Sequence, residues 1–193
     1  LIQRFLRREV QIVCVQAVSG AAGGRTPLAF FSIVTRDFSS KGDFGMETIE
    51  EYVDVNVPVR TVYNQWTQFE EFPRFTENIE KVDQLDETGL HWVAKIAGTT
   101  VEWHAEISEQ VPDKRIVWYG ASGPVRSGIV SFNPVNDDIT RVTLCMDYEP
   151  ETFREQAGDK LGIASNRVQG DLRRFKEFIE ARGAETGAWR GKI

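Results

Sequence analysis

The chain has 193 residues with a formal charge of −6 at pH 7, 41% hydrophobic and 27% charged residues, and a generous set of aromatics that includes five Trp and twelve Phe. This is enough chain for one domain with a real core that needs neither disulfides nor a structural metal. Cys14 and Cys145 cannot make a disulfide framework and suit a reducing compartment, so a cytoplasmic location is expected, and no apolar run reaches the roughly eighteen residues of a membrane span.

The charge is unevenly spread. Residues 1–45 carry six Lys/Arg against three Asp/Glu, and the remainder seventeen against twenty-six. An acidic main domain without a basic run or a basic amphipathic helix repels phosphate backbones, so nucleic acid is not an expected partner.

The first segment, 1–45, differs in character from the rest of the chain. Arg4, Arg7 and Arg8 precede an apolar stretch from Val10 to Val18 that Gln11 and Gln16 interrupt, and Ser19 to Gly24 then resembles a cleavage site only loosely. A second apolar patch, Leu28 to Val34, leads into a Ser39–Asp43 linker. The expectation is that Met46 is the natural start and that 1–45 is a non-functional or poorly ordered extension; a secretory signal is the alternative.

From Met46 the elements come in a clear order. Ile49, Val53, Val55 and Val57 alternate with polar residues and predict a half-buried strand. Pro58 then opens a short helix carrying Val59, Val62, Tyr63 and Trp66 at helical spacing. Pro73 prevents a long continuous helix over the next stretch, which predicts a kinked pair of short helices presenting Phe69, Phe72 and Phe75. Between Ile79 and Tyr148, turn signals at 86–89, 97–98, 112–114, 120–124 and 136–138 divide six short strands into an antiparallel meander. Alternation gives every strand one apolar face, on which Leu90, Trp92, Trp103, Trp118, Phe132, Met146 and Tyr148 fall. After Pro150, Phe153, Ala157, Leu161, Ala164, Val168, Leu172, Phe175 and Ile179 recur in steps of three and four, and Gly183 marks the end of a long helix. Gly158, Gly162 and Gly170 interrupt it, either as a helix break or to leave room for a ligand or the sheet. Residues 46–183 thus form the domain, and 184–193 a C-terminal tail.

Seven strands with one greasy face must be covered by one long helix and two short ones, and that cover is thin. A bent sheet around a single helix leaves a hollow at one end, with the three tryptophans on its inner wall. Trp92, Trp103, Trp118, Phe72, Phe75, Met146 and Leu161 are the expected ligand contacts.

The order β-α-α-β6-α, an α+β fold, resembles the helix-grip fold of the START-like (SRPBCC) superfamily, a seven-stranded curved antiparallel sheet around a long C-terminal helix. Within residues 46 to about 182, Val57-Pro58-Val59-Arg60-Thr61-Val62-Tyr63-Asn64-Gln65-Trp66 and Phe69 to Phe75 are similar to the opening signature of the polyketide cyclase/dehydrase and lipid-transport family. Arg141-Val142-Thr143-Leu144 and Tyr148-Glu149-Pro150 resemble its last strand and the start of its last helix. The resemblance implies an internal cavity for a lipid, a polyketide-like molecule, or a quinone as in the coenzyme Q-binding relatives.

Other chemistry finds little support. His91 and His104 have no ligand-spaced partner and no Cys-x-x-Cys occurs, so no metal is expected; phosphate-loop and dinucleotide fingerprints are absent, so no cofactor is expected. Three polar residues fall among apolar ones by alternation. Glu51 on the first strand is either a desolvated acid or base or the solvated start of a strand. Arg126 is either an inward anion-binding group or part of a loop rim. Tyr148 either offers its hydroxyl to a ligand or simply bonds to backbone. Binding or carriage of an apolar molecule leads; a cyclase, aromatase or dehydratase using acid–base chemistry is the alternative, and a protein-interaction module the second.

Overall fold

The computed structural model describes residues 47–96, 98–149 and 160–193, with the side chains of Lys160, Leu161 and Ile163 outside that description. The expectations for segment 1–45, for Phe153 and Ala157, and for Leu161 as a ligand contact fall on residues or side chains that are not described.

β1 (Glu47–Val55) is followed by α1 (Val59–Trp66) and by a 3₁₀ helix (Phe69–Arg74). The meander comprises β2 (Ile79–Gln84), β3 (Gly89–Ile96), β4 (Thr99–Val111), β5 (Arg115–Gly120), β6 (Val125–Pro134) and β7 (Thr140–Tyr148), and α2 (Lys160–Arg182) comes last. The strands form one seven-stranded antiparallel sheet in the order β1-β7-β6-β5-β4-β3-β2. β1 and β2 are neighbours in sequence but occupy opposite edges, so the chain between them crosses the concave face and carries both short helices over it. The expected kinked pair is thus an α-helix followed by a 3₁₀ helix with Pro73 inside it, where the missing amide is tolerated in so short an element.

Register shifts interrupt the ladders between Ile79 and Lys81, Ile107 and Glu109, and Val125 and Ser127. Each inserts an extra residue on one strand, which bends that strand and raises its local twist. The bends help a flat meander become a grip. A bulge also shifts the in–out alternation of its strand by one step, and Arg126 lies at the third of them.

The core is densest where α1 meets the sheet. Val62, Tyr63 and Trp66 pack against Val55, Phe132 and Val142, while Leu172, Phe175 and Ile179 of α2 close the stack. Edge-on aromatic pairs hold the layers together: Tyr63 with Phe132 at 5.5 Å, and Trp66 with Phe175 at 4.8 Å. α2 ends at Gly183, which has φ 68° and whose amide bonds to the Ile179 carbonyl at 2.9 Å. Ala at this left-handed position should cost about 1–2 kcal/mol, read as a lower urea midpoint at unchanged slope.

The chain then runs back over α1. The Thr186 amide donates to Gln65 Oε1 at 2.9 Å, the Trp189 amide to Thr67 Oγ1 at 3.1 Å, and the Arg190 guanidinium to Asn64 Oδ1 at 2.9 Å. Ile193 exchanges two backbone hydrogen bonds with Gln110 of β4, at 3.2 and 3.3 Å.

Candidate functional site

α1 fills only one end of the grip. Between the concave face of the sheet and α2 lies a cavity of about 190 Å³ with an almost wholly apolar lining, to which Trp66 at the end of α1 also contributes. Trp92 and Trp103 are direct partners across β3 and β4, their rings nearly parallel at 7° with centroids 6.0 Å apart. Trp118 on β5 continues this wall, and Met146 and the Tyr148 ring extend it on β7. Phe72 and Phe75 cover the cavity from above; the Phe72 ring meets Trp92 edge-on at 5.4 Å. The three tryptophans, both phenylalanines and Met146 therefore share one space.

The three polar candidates are placed otherwise. Glu51 points inward, as alternation requires, but outside the cavity lining: Ser165 Oγ donates to one carboxylate oxygen and Gln169 Nε2 to the other at 3.4 Å. It therefore sits within a hydrogen-bonded β1–α2 contact, well inside the strand. Arg126 is the extra residue of the β6 bulge, where Val125 pairs with Tyr148 and Ser127 with Asp147. The bulge turns Arg126 outward into an ion pair with Glu149 and gives the inward place to Val125, which lines the cavity. The Tyr148 ring lines the cavity, and its hydroxyl donates to the Glu47 side chain at Oε2, 2.8 Å away, where a backbone acceptor is the expected alternative. Burial, reinforced by the Glu47 carboxylate, pushes its pKa up to about 12, so it stays a neutral phenol at physiological pH.

Neither helical glycine serves the cavity. Gly162 faces open space, and a side chain on Gly170 would meet the Arg174 guanidinium. His91 and His104, unconnected in sequence spacing, are register partners with ring centroids 4.9 Å apart on the outer face. Among the described residues, no three His, Cys, Asp or Glu side chains are arranged to hold a metal.

Sequence reasoning misses the polar lining residues Thr76, Asn78, Arg167 and Asp171, and of these the Asp171 carboxyl on α2 is the acid. Its Oδ1 accepts the Glu77 amide at 2.9 Å and the Arg174 guanidinium. Arg174 Nε also donates to the Phe75 carbonyl at 3.1 Å, so α2 pins the 75–77 segment at the cavity edge. Burial raises the Asp171 pKa despite these donors. A detectable signal exists: Asp171 stands three residues after Val168 and four before Phe175, inside the apolar helical stripe.

The raised pKa fixes a sign. The native state holds this proton more tightly than the unfolded chain, so the contribution to stability is complete below the unfolded pKa, about 3.9, and is lost as pH rises through the folded value. Asp171→Asn should therefore gain stability relative to the parent as pH rises from about 3.5 to 7, measured by paired urea titrations. A difference that is flat over that range would contradict the desolvated placement.

A curved antiparallel sheet gripping one long helix around an apolar hollow is the START-like helix-grip fold. More closely, the chain belongs to the polyketide cyclase/dehydrase and lipid transport family, whose model matches residues 55–177. It is 48% identical over 149 residues, 77% of this chain and 99% of the relative, to an uncharacterized 17.2 kDa protein from the melC2–rnhH intergenic region of Streptomyces lincolnensis. Among solved structures it is similar to a Deinococcus radiodurans protein (25% identity, TM-score 0.56, covering 70% of this chain and 99% of that one). The Zhui aromatase/cyclase of a Streptomyces species shares the fold at 18% identity and TM-score 0.56, over 75% of this chain and all of that one (100%). A START superfamily protein of Mycobacterium smegmatis does so at 15% identity and TM-score 0.55, over 72% of this chain and 97% of that one.

Proposed function

We propose that this protein binds and carries a hydrophobic small molecule in the cavity beneath Trp92, Trp103 and Trp118. The observation that carries this reading is the hollow itself: α1 and the 3₁₀ helix cover only part of a sheet whose inner face is apolar on every strand, and the uncovered remainder is walled by indoles. Apolar surface held open this way costs folding stability unless a ligand occupies it. Native mass spectrometry of the purified protein should find a co-purified apolar ligand, and an environment-sensitive apolar dye should be displaced when one is added. Protein that is uniformly empty and takes up no apolar compound would overturn the reading.

Acid–base catalysis on a polyketide-like chain is a second reading, and Asp171 is the specific observation in its favour. A carboxyl in an apolar wall, its pKa raised by burial, is a group placed to exchange a proton with a bound molecule. On this reading, Asp171→Asn lowers turnover of a model poly-β-ketone by about 10²-fold or more, while Glu51→Gln and Arg126→Ala leave it unchanged because both lie outside the cavity. Turnover that survives Asp171→Asn would remove this residue from the chemistry. The acidic main domain and the two cysteines favour a reducing compartment and a partner other than nucleic acid.

A further inference from the structure

We infer that Gly128 and Trp118 together set the depth of the cavity, and that the ligand is a compact, planar, hydroxylated aromatic of one or two rings; this rests on the cavity being a ligand site. Trp118 on β5 and Gly128 on β6 are direct register partners. A Cβ on Gly128 would overlap Cζ2 of the indole and lie 2.5 Å from Cε2. The ring therefore lies flat over the place where a side chain would stand, a close approach that only glycine allows inside a strand. Any side chain at 128 must lift the indole. Trp118 lines the cavity, so displacing its ring reshapes the cavity wall.

A second glycine packs the neighbouring indole. Gly123, at φ 89°, crosses so near Trp103 that its Cβ would lie 2.5 Å from the Trp103 Cβ. With Trp92 parallel to Trp103, three adjacent strands present aromatic faces opposite the aliphatic Ala164, Val168 and Leu172 of α2. Such a wall favours flat rings that stack in offset geometry over flexible chains that gain little from it. The volume of about 190 Å³ lies below the roughly 300–1,000 Å³ typical of sites for larger ligands, which favours a compact guest. At the polar edge, the Asp171 carboxylate retains lone pairs beyond those used by Glu77 and Arg174 and can accept a ligand hydroxyl.

The test is titration of the full chain with 2-naphthol, with sodium palmitate and with a four-ring phenol, 1-hydroxypyrene, followed by calorimetry and tryptophan fluorescence. The parent should bind 2-naphthol in preference to the other two. Gly128→Val should weaken 2-naphthol by about tenfold or more, and Gly128→Ala by less, because a methyl-sized change in an apolar pocket acts on that scale. Adding Trp118→Ala to Gly128→Val should restore binding, a rescue that a merely unfolded variant cannot give. Trp118→Ala alone should admit 1-hydroxypyrene, which keeps the depth claim testable if both Gly128 variants fail to fold. Unchanged 2-naphthol affinity in folded Gly128→Val, or continued exclusion of 1-hydroxypyrene by Trp118→Ala, would overturn the role of this pair. Palmitate bound in preference to 2-naphthol would overturn the ligand class and leave the container reading standing, whereas failure of all three probes would defeat both.

Discussion

Trp66→Ala should lower the unfolding free energy by about 3–5 kcal/mol, the range for truncating a large buried aromatic. At 5% exposure Trp66 is almost fully buried, and its ring joins three layers at once. It meets Phe72 of the 3₁₀ helix at 5.5 Å, Phe132 of the sheet at 5.9 Å and Phe175 of α2 at 4.8 Å, each edge-on. Every such pair adds about 0.5–1.5 kcal/mol beyond simple burial. Trp66 also lines the cavity, so the space its ring vacates opens into an existing hollow. Neighbours then have little incentive to collapse, and the cost falls toward the upper end of the range. For a chain of this size the melting temperature should drop by roughly 6–20 °C. Trp66→Phe keeps most edge contacts and should recover more than half of the loss. A deficit below about 1 kcal/mol for Trp66→Ala, measured by urea titration, would mean that the layers are joined elsewhere.

The same residue shows how far sequence reasoning reaches. Trp66 and its partners Phe72, Phe132 and Phe175 are legible because each belongs to a periodic stripe, and period alone assigns them to one interior. The order from β2 to β7 is legible in the tight turns between consecutive strands, whereas the place of β1 beside β7 is not, and the hollow is legible in the count of covering elements against apolar strand faces. What escapes depends on partners distant in the chain or on broken periodicity. Arg126 is a mixed example: alternation counted back from Phe132 turns it inward, Gly123-Pro124 suggests an exposed rim, and the extra residue between Val125 and Ser127, which the sequence does not announce, sets it outward as the rim reading has it. Alternation turns Glu51 inward correctly, yet its donors Ser165 and Gln169 lie 114 and 118 residues away. Asp171 escapes because a helix is traced through its apolar residues, and one acid within such a stripe reads as an edge position until the cavity beside it is seen.

Removing residues 184–193 should destabilise the domain by about 2–4 kcal/mol, although in sequence the segment reads only as a C-terminal tail. The reason lies on α1. Asn64, Gln65 and Thr67 would ordinarily mark a water-facing helix surface, yet they are only 2%, 0% and 3% exposed. What covers them is this segment: Asn64 Nδ2 donates to Glu185 Oε1 at 2.7 Å, Gln65 exchanges hydrogen bonds with Thr186, and Thr67 Oγ1 accepts the Trp189 amide. Each contributes about 0.5–1.5 kcal/mol net. The Arg190–Asp113 pair is partly exposed and adds little to this sum. Gln65→Leu isolates the polar contribution, because it keeps the volume while leaving the Thr186 amide without its acceptor, and should cost about 1–3 kcal/mol. Hydrogen exchange distinguishes a strap from a passive tail. If the segment clamps α1, the truncated chain exchanges the α1 amides faster while α2 stays protected, and ligand affinity falls because Trp66, next to Gln65, forms part of the cavity floor. If α1 protection and the urea midpoint both survive truncation, the helix is held by its apolar face alone.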